Sequence, residues 1–202
     1  VKGSAISSFP GMMDTYHFLK GEGQIIESIR HCWASLFTAR AVYRRHQQNI
    51  PQDKGVIAPV VQKMVNAEVA GVMFTANPIT NSREEIMIES NWGLGESIVS
   101  GEAVVDYFIL TKDSPPRLKE KKVQSKNIMV TMDREKGIGC KKYELSGYMV
   151  IDCTLSDKQL MELGELGPKI EAVFQYPQDI EWAYEKGELF ILQSRKVKGL
   201  KE

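Results

Sequence analysis

The chain has 202 residues, 43% of them hydrophobic and 26% charged, enough to bury roughly 70% of its unfolded surface in one domain or two closely packed lobes. Lys plus Arg number 26 and Asp plus Glu number 26, a balance that excludes a global pull toward nucleic acid or anionic membrane, so any anion site must be local. Three cysteines without a CxxC pair argue for buried small hydrophobes in a reducing cytoplasm rather than a disulfide scaffold, and no run approaches the ~20 apolar residues of a membrane span.

Residues 3 to 15, GSAISSFPGMMDT, mix small residues with a Pro-Gly step and read as an ordered loop, followed by a short strand at 15 to 19. From Ile25 to Gln48 the apolar residues recur at steps of three and four, which predicts one long helix or two end to end. VIAPVVQKMV and VAGVMFTANP read as strands, the second stopped at Asn77-Pro78. EEIMIESNW gives a third strand leading into GLGESIVSGE, and AVVDYFIL a fourth. Residues 112 to 150 carry short β-prone pieces such as NIMVTM among charged turns. A helix over 156 to 174 starts at Ser156, with Gly164 and Gly167-Pro168 as expected breaks. Without regular strand-helix alternation, the expected class is α+β with a mainly antiparallel sheet. The expected division is a helical part at 1–57 and a β-rich lobe at 58–202. A start at Val1, with no linker or low-complexity tract, suggests a piece of a longer protein.

The closing stretch DIEWAYEKGELFILQSRKV carries the most chemistry. Glu185-Lys186-Gly187 suits a three-residue hairpin loop in which Tyr184 pairs with Glu188. Glu181 would then oppose Ile191, Asp179 would oppose Gln193, and Glu181 would lie diagonal to Gln193, with Arg195 continuing that face. Ile180, Trp182, Tyr184, Phe190 and Leu192 would fill the other face as a core wall. Diagonal neighbours about 7 to 8 Å apart let a carboxylate and an amide oxygen converge on one hard cation, and a guanidinium beside them can grip phosphate as a fork. A hairpin with one solvated face is the alternative. Elsewhere, Gly11 lets the backbone approach an anion, so the N–H groups of Gly11, Met12 and Met13 can form a cradle; an ordinary turn is the competing reading. Gly93 and Gly95 allow a tight turn displaying Glu96, and Asn91 and Glu96 are candidates of second rank.

The DIEWAYEKGELFILQSR stretch resembles the closing hairpin of the nucleotide-binding domain shared by pyruvate phosphate dikinase, phosphoenolpyruvate synthase and rifampin phosphotransferase. SFPGMMDT, VQKMVNAEVAGVMFTANP and WGLGESIVSGEAVVDYF resemble further stretches of that family in the same order, so the likeness spans nearly the whole chain. It implies an ATP-grasp-like fold and Mg-ATP as ligand. Glu181 and Gln193 would bind the metal, Arg195 and Lys2 the phosphates, Gly11, Met12, Met13, Asp14 and Thr15 would form the phosphate loop, and Gln62, Met64 and Val65 the adenine wall. Core packing is the plain alternative for Met64 and Val65. Lys2 stands where the family has an arginine; it keeps the charge and loses the bidentate fork. The resemblance also implies an N-terminal segment, a phosphohistidine domain and a pyruvate-binding domain beyond these residues. His17, His31 and His46 lie in no glycine-rich phosphoacceptor context. An isolated piece of this kind is expected to bind Mg-ATP weakly and to transfer no phosphate.

Overall fold

The structure is a computed structural model and describes residues 13–200. Two compact units emerge: the described residues up to Met64 together with Met132–Gly139, and Val65–Thr131 with the described residues from Cys140 onward.

In the first unit the long apolar period is realised as two helices, α1 (Gly21–Ala34) and α2 (Ala39–Gln47), separated by a 3-10 turn at Ser35–Phe37. The break falls at Thr38, whose extended backbone ends one helix while its side chain caps the next by accepting from the Ala41 N–H at 3.4 Å. Arg44, Arg45 and His46 sit in the last turn of α2, where cations complement the helix dipole. Arg45 is buried; its Nε donates to Gln52 Oε1 at 2.8 Å and its Nη2 to the Leu36 carbonyl at 2.6 Å. The strand expected at 15 to 19 does not form, because Phe18 turns the chain with φ at 53°. Residues 55 to 67 are likewise without ladder pairing, so the strand expected in VIAPVVQKMV is absent; Pro59 offers no N–H to a partner.

The second unit is built on a six-stranded antiparallel sheet of β1 (Val69–Phe74), β2 (Glu85–Trp92), β3 (Asp106–Thr111), β4 (Leu118–Lys122), β7 (Gln178–Glu185) and β8 (Glu188–Lys196), in the order β4-β3-β2-β1-β7-β8. A small two-stranded sheet joins β5 (Ile128–Met132) to β6 (Cys140–Glu144), and α3 (Glu96–Val99) and α4 (Tyr148–Ile151) are single turns. The 18-residue α5 (Asp157–Phe174) begins with a full capping box: Ser156 Oγ accepts from the Gln159 N–H at 3.3 Å, and Gln159 Oε1 accepts from the Ser156 N–H at 3.0 Å. Gly164 and Gly167-Pro168 do not break it. Both glycines are there for close approach: a Cβ would stand 2.9 Å from Pro116 Cγ at Gly164 and 3.2 Å from Met73 Sδ at Gly167. Burial of that face offsets the hydrogen bond that Pro168 removes. Leu155, Leu160 and Leu163 pack with Met73, Ile86, Ile88, Phe108, Leu110, Ile180, Trp182 and Tyr184 in one apolar core, which leaves the opposite face of the sheet for other work.

Gly71 lies between β2 and the Trp182 indole, where a Cβ would meet Glu89 O at 2.2 Å and Trp182 Cζ2 at 2.3 Å. Gly71→Ala is therefore expected to lower unfolding stability by at least about 2 kcal/mol, read as a lower urea midpoint at unchanged slope. A midpoint equal to that of the native chain would contradict the packing described.

A polar cluster closes the other end of β3. Asp106 and Lys126 are both fully buried and pair at 2.8 Å, while Asp106 also accepts from the Gln124 N–H at 2.9 Å, the Thr154 N–H at 2.8 Å and the Thr154 hydroxyl at 3.0 Å. Ser90 and Thr154 hydroxyls meet at 2.5 Å. The three cysteines are free and partly exposed rather than buried as expected. No helix among the described residues is long and apolar enough to cross a membrane.

Candidate functional site

The closing hairpin differs from its expected register in two places. Its turn has two residues, Lys186 and Gly187, at φ 52° and 78°, the left-handed pair that matches the twist of a tight hairpin. Tyr184 accordingly pairs with Leu189 rather than Glu188, and Ala183 with Phe190. A β-bulge then sets Trp182 against Ile191 and Glu181 against Gln193, leaving Leu192 as the extra residue. The shorter turn and the bulge displace the pairing by one residue each, so at the far end of the hairpin the parity of the expected faces is restored. Glu181 faces Gln193 directly instead of diagonally, and Asp179 faces Arg195 rather than Gln193. Near the turn the parity stays shifted: Phe190 joins Ala183 away from the core, and Leu189 packs on the core in its place.

Asp179, Glu181, Gln193 and Arg195 therefore form a polar quartet on the face opposite the core. Arg195 Nε donates to Asp179 Oδ2 at 2.7 Å, and Gln193 Nε2 donates to Glu181 Oε1 at 3.0 Å. Asp179 Oδ1 is buried without a hydrogen-bond partner among the described residues. Burial pushes the Glu181 carboxyl above its ordinary value; Arg195 draws it down and Asp179 pushes it further up. The carbonyl oxygen of Gln193 and the two terminal nitrogens of Arg195 make no hydrogen bond with any described residue. Spare oxygens from three side chains beside an unspent guanidinium fork form a donor set suited to a hard cation carrying phosphate. Asp179 was not singled out from sequence, although its spacing of two from Glu181 carries the signal.

Further across the same face, β1 sets Val72 between Glu181 and Glu89 of β2. Burial also raises the Glu89 carboxyl above its usual range. Asn91, two residues along, is fully buried; its Nδ2 donates to the Ile128 carbonyl at 2.8 Å, and its Oδ1 has no partner among the described residues.

Of the remaining candidates, Lys2, Gly11 and Met12 lie outside the described residues. Met13, Asp14 and Thr15 belong to the first unit: the Asp14 N–H donates to Ser35 Oγ at 3.3 Å, and the Asp14 carbonyl receives the Cys32 thiol at 3.4 Å. Gln62 and Met64 lie in unpaired chain of the same unit, and Val65 is buried in the second. Glu96 opens α3 and accepts from the Cys140 thiol at 3.3 Å, both beside a cavity of about 230 Å³; burial and Glu96 push that thiol up to about 11, too high for a nucleophile.

Residues 2–202 match the family model described as pyruvate phosphate dikinase, AMP/ATP-binding domain. The chain is 45% identical over 97% of its length to a probable phosphoenolpyruvate synthase of Pyrococcus abyssi and to the phosphoenolpyruvate synthase of Pyrococcus furiosus. It is 38% identical over 95% of its length to the rifampicin phosphotransferase of Bacillus cereus. It spans only 24%, 25% and 21% of those three proteins. A match over nearly every residue, on an α+β unit with a mainly antiparallel sheet, settles its kinship: the chain belongs to the pyruvate phosphate dikinase AMP/ATP-binding domain family.

Proposed function

We propose that these residues bind Mg-ATP within a phosphoenolpyruvate synthase-like phosphotransferase, which phosphorylates a histidine on a mobile domain and uses it to convert pyruvate to phosphoenolpyruvate. The observation that carries this reading is the quartet, above all the buried Asp179 oxygen without a partner beside the desolvated Glu181 carboxylate. Such groups are costly to leave unpaired, and a divalent cation satisfies both. Asp179, Glu181 and the Gln193 carbonyl would hold Mg²⁺, which when bound neutralises charge on the phosphate oxygens. Arg195 is already oriented by Asp179 through Nε and offers its terminal N–H groups to a phosphate. Lys2 and the loop of Gly11, Met12, Met13, Asp14 and Thr15 would complete the phosphate contacts, and Gln62, Met64 and Val65 the adenine contacts. Phosphoryl transfer needs mainly positioning and charge stabilisation, which this set supplies.

The phosphohistidine and pyruvate-binding domains would lie in the same polypeptide, outside these residues, in the cytoplasm. The likeness to a rifampicin phosphotransferase gives a second reading, in which the same site serves another acceptor. Both are tested together in the full natural reading frame containing these residues. With labelled Mg-ATP, an acid-labile phosphoprotein should form, vanish with EDTA, and discharge to pyruvate. Discharge to rifampicin alone would select the second reading. ATP binding without any phosphoprotein would leave a binding module and overturn both.

A further inference from the structure

The cavity beside α3 has no part in the function proposed above. It measures about 230 Å³, room for several waters, and its walls carry Glu96 and Ser97 from the start of α3 and Cys140 from the start of β6. All three residues belong to the second unit. The Cys140 thiol donates to Glu96 Oε2 at 3.3 Å, so a sulfur and a carboxylate oxygen already meet at the cavity wall.

Ser97 supplies an independent observation. It lines the same cavity at 2% exposure, and its hydroxyl oxygen is buried without a hydrogen-bond partner among the described residues. Such a hydroxyl is costly to leave unpaired, and a ligand that brings ordered water into the cavity satisfies it. Of the ammonium groups at the cavity, Lys142 pairs with Glu102, and Lys141 lies over the Tyr143 ring, 5.9 Å from its centroid.

We infer that Glu96 and Cys140 form a binding site for a borderline divalent metal ion of the zinc class, with cavity water completing its coordination and Ser97 Oγ accepting from a metal-bound water. The spacing fits. Ligands of tetrahedral zinc lie about 2.3 Å away for sulfur and about 2.0 to 2.2 Å for oxygen, which sets the two about 3.5 to 3.7 Å apart, close to the separation already present. Sulfur decides between metals: thiolate favours zinc and its neighbours, whereas Mg²⁺ prefers oxygen alone, so this site differs in chemistry from the quartet. Binding exchanges a proton for the metal. The S–H bond breaks, sulfur keeps the electron pair and donates it to the ion, and the proton leaves to solvent without oxidation or reduction. Burial and Glu96 hold that proton in the metal-free protein, with the thiol pushed up to about 11, and a coordinated dication removes it. The consequence is a clamp: the Leu94 N–H already ties β5 to the loop before α3 by donating to the Val130 carbonyl at 2.7 Å, and the metal ties β6 to α3 as well.

The site does not depend on the Mg-ATP reading, and no nucleotide enters its test. Metal-free protein of the full natural reading frame is titrated with Co²⁺, followed by thiolate-to-cobalt absorption in the near ultraviolet, and then with Zn²⁺ in competition. Native protein is compared with Cys140→Ser, Cys140→Ala, Glu96→Gln and Ser97→Ala. Native protein should show one cobalt–thiolate equivalent that both Cys140 variants lack; Zn²⁺ should displace it and excess Mg²⁺ should not. Zinc affinity at this site should fall at least about a hundredfold in the Cys140 variants, at least about tenfold in Glu96→Gln and about tenfold in Ser97→Ala, the scale of an outer-shell partner. Zn²⁺ should also raise the melting temperature of native protein more than that of the Cys140 variants. Two replacements at Cys140 keep the comparison valid if one of them folds poorly. Equal absorption and zinc affinity in native protein and the Cys140 variants overturn the site. So does zinc affinity unchanged in Glu96→Gln, because a thiol acting alone is then the whole of the binding.

Discussion

Glu181→Gln, in the full natural reading frame, is expected to slow phosphoryl transfer from Mg-ATP by about a hundredfold to a thousandfold, the scale of losing one group that stabilises developing charge. The fold should not suffer. The Glu181 carboxyl is held above its ordinary value chiefly by burial, so in the folded state its charged form is the disfavoured one. Below the ordinary carboxylate range it is protonated in both folded and unfolded chains and has no effect on stability relative to the amide. As pH rises through the window between the ordinary and the raised value, the unfolded chain ionises first and the native protein loses stability that the glutamine variant keeps. Without divalent metal, the variant should therefore melt higher at neutral pH, and the gap should close on acidification. Added Mg-ATP should reverse the order, because it stabilises only a chain that can hold it. A variant that melts lower at neutral pH without metal, with turnover intact, would make Glu181 a structural residue.

The largest loss of stability is expected at the buried pair of Asp106 and Lys126. Both side chains are fully buried, so Lys126→Met leaves the Asp106 charge with hydrogen bonds but no counterion. Removing one partner of such a pair costs about 3 to 5 kcal/mol, enough to unfold a marginal domain. The double variant Lys126→Met with Asp106→Asn should recover only part of that loss: the uncompensated charge is gone, but the single amide oxygen can accept from Gln124 or from Thr154 and not from both. Urea midpoints of the two variants and the native protein give the comparison. A double variant no better than the single one would show that hydrogen bonding, not charge, makes the cluster matter.

The sheet was legible where apolar and polar residues alternate or where apolar runs end in turn residues, as in β1, β2, β3 and the closing hairpin. The charged strand β4, LKEKK, was not, because an edge strand needs no apolar face of its own. The segment from 56 to 65 misled for the opposite reason: its apolar residues look like a strand, but strand identity requires a ladder partner that local sequence does not encode. In the hairpin, Lys186 at positive φ hid a two-residue turn that Gly187 alone did not reveal, and no residue type announced the bulge. Glu181, Gln193 and Arg195 nevertheless share one face. Asp179 was visible in the same alternation, whereas Glu89 required knowing which strand β1 places across from β7.

The two margins of the six-stranded sheet are differently defended against joining another sheet. On one side β4 carries Lys119, Lys121 and Lys122, each in an ion pair, and these charged side chains would be costly to desolvate beneath an incoming strand. On the other, β8 is the last strand among the described residues, and in the proposed Mg-ATP site it would have to keep Gln193 and Arg195 accessible, so lysine-style blocking would compete with that role. The bulge at Leu192 resolves this conflict: by interrupting the regular spacing of the exposed edge it denies an incoming strand a continuous template. The irregular outer edge of the sheet and the alignment of the quartet thus come from the same extra residue.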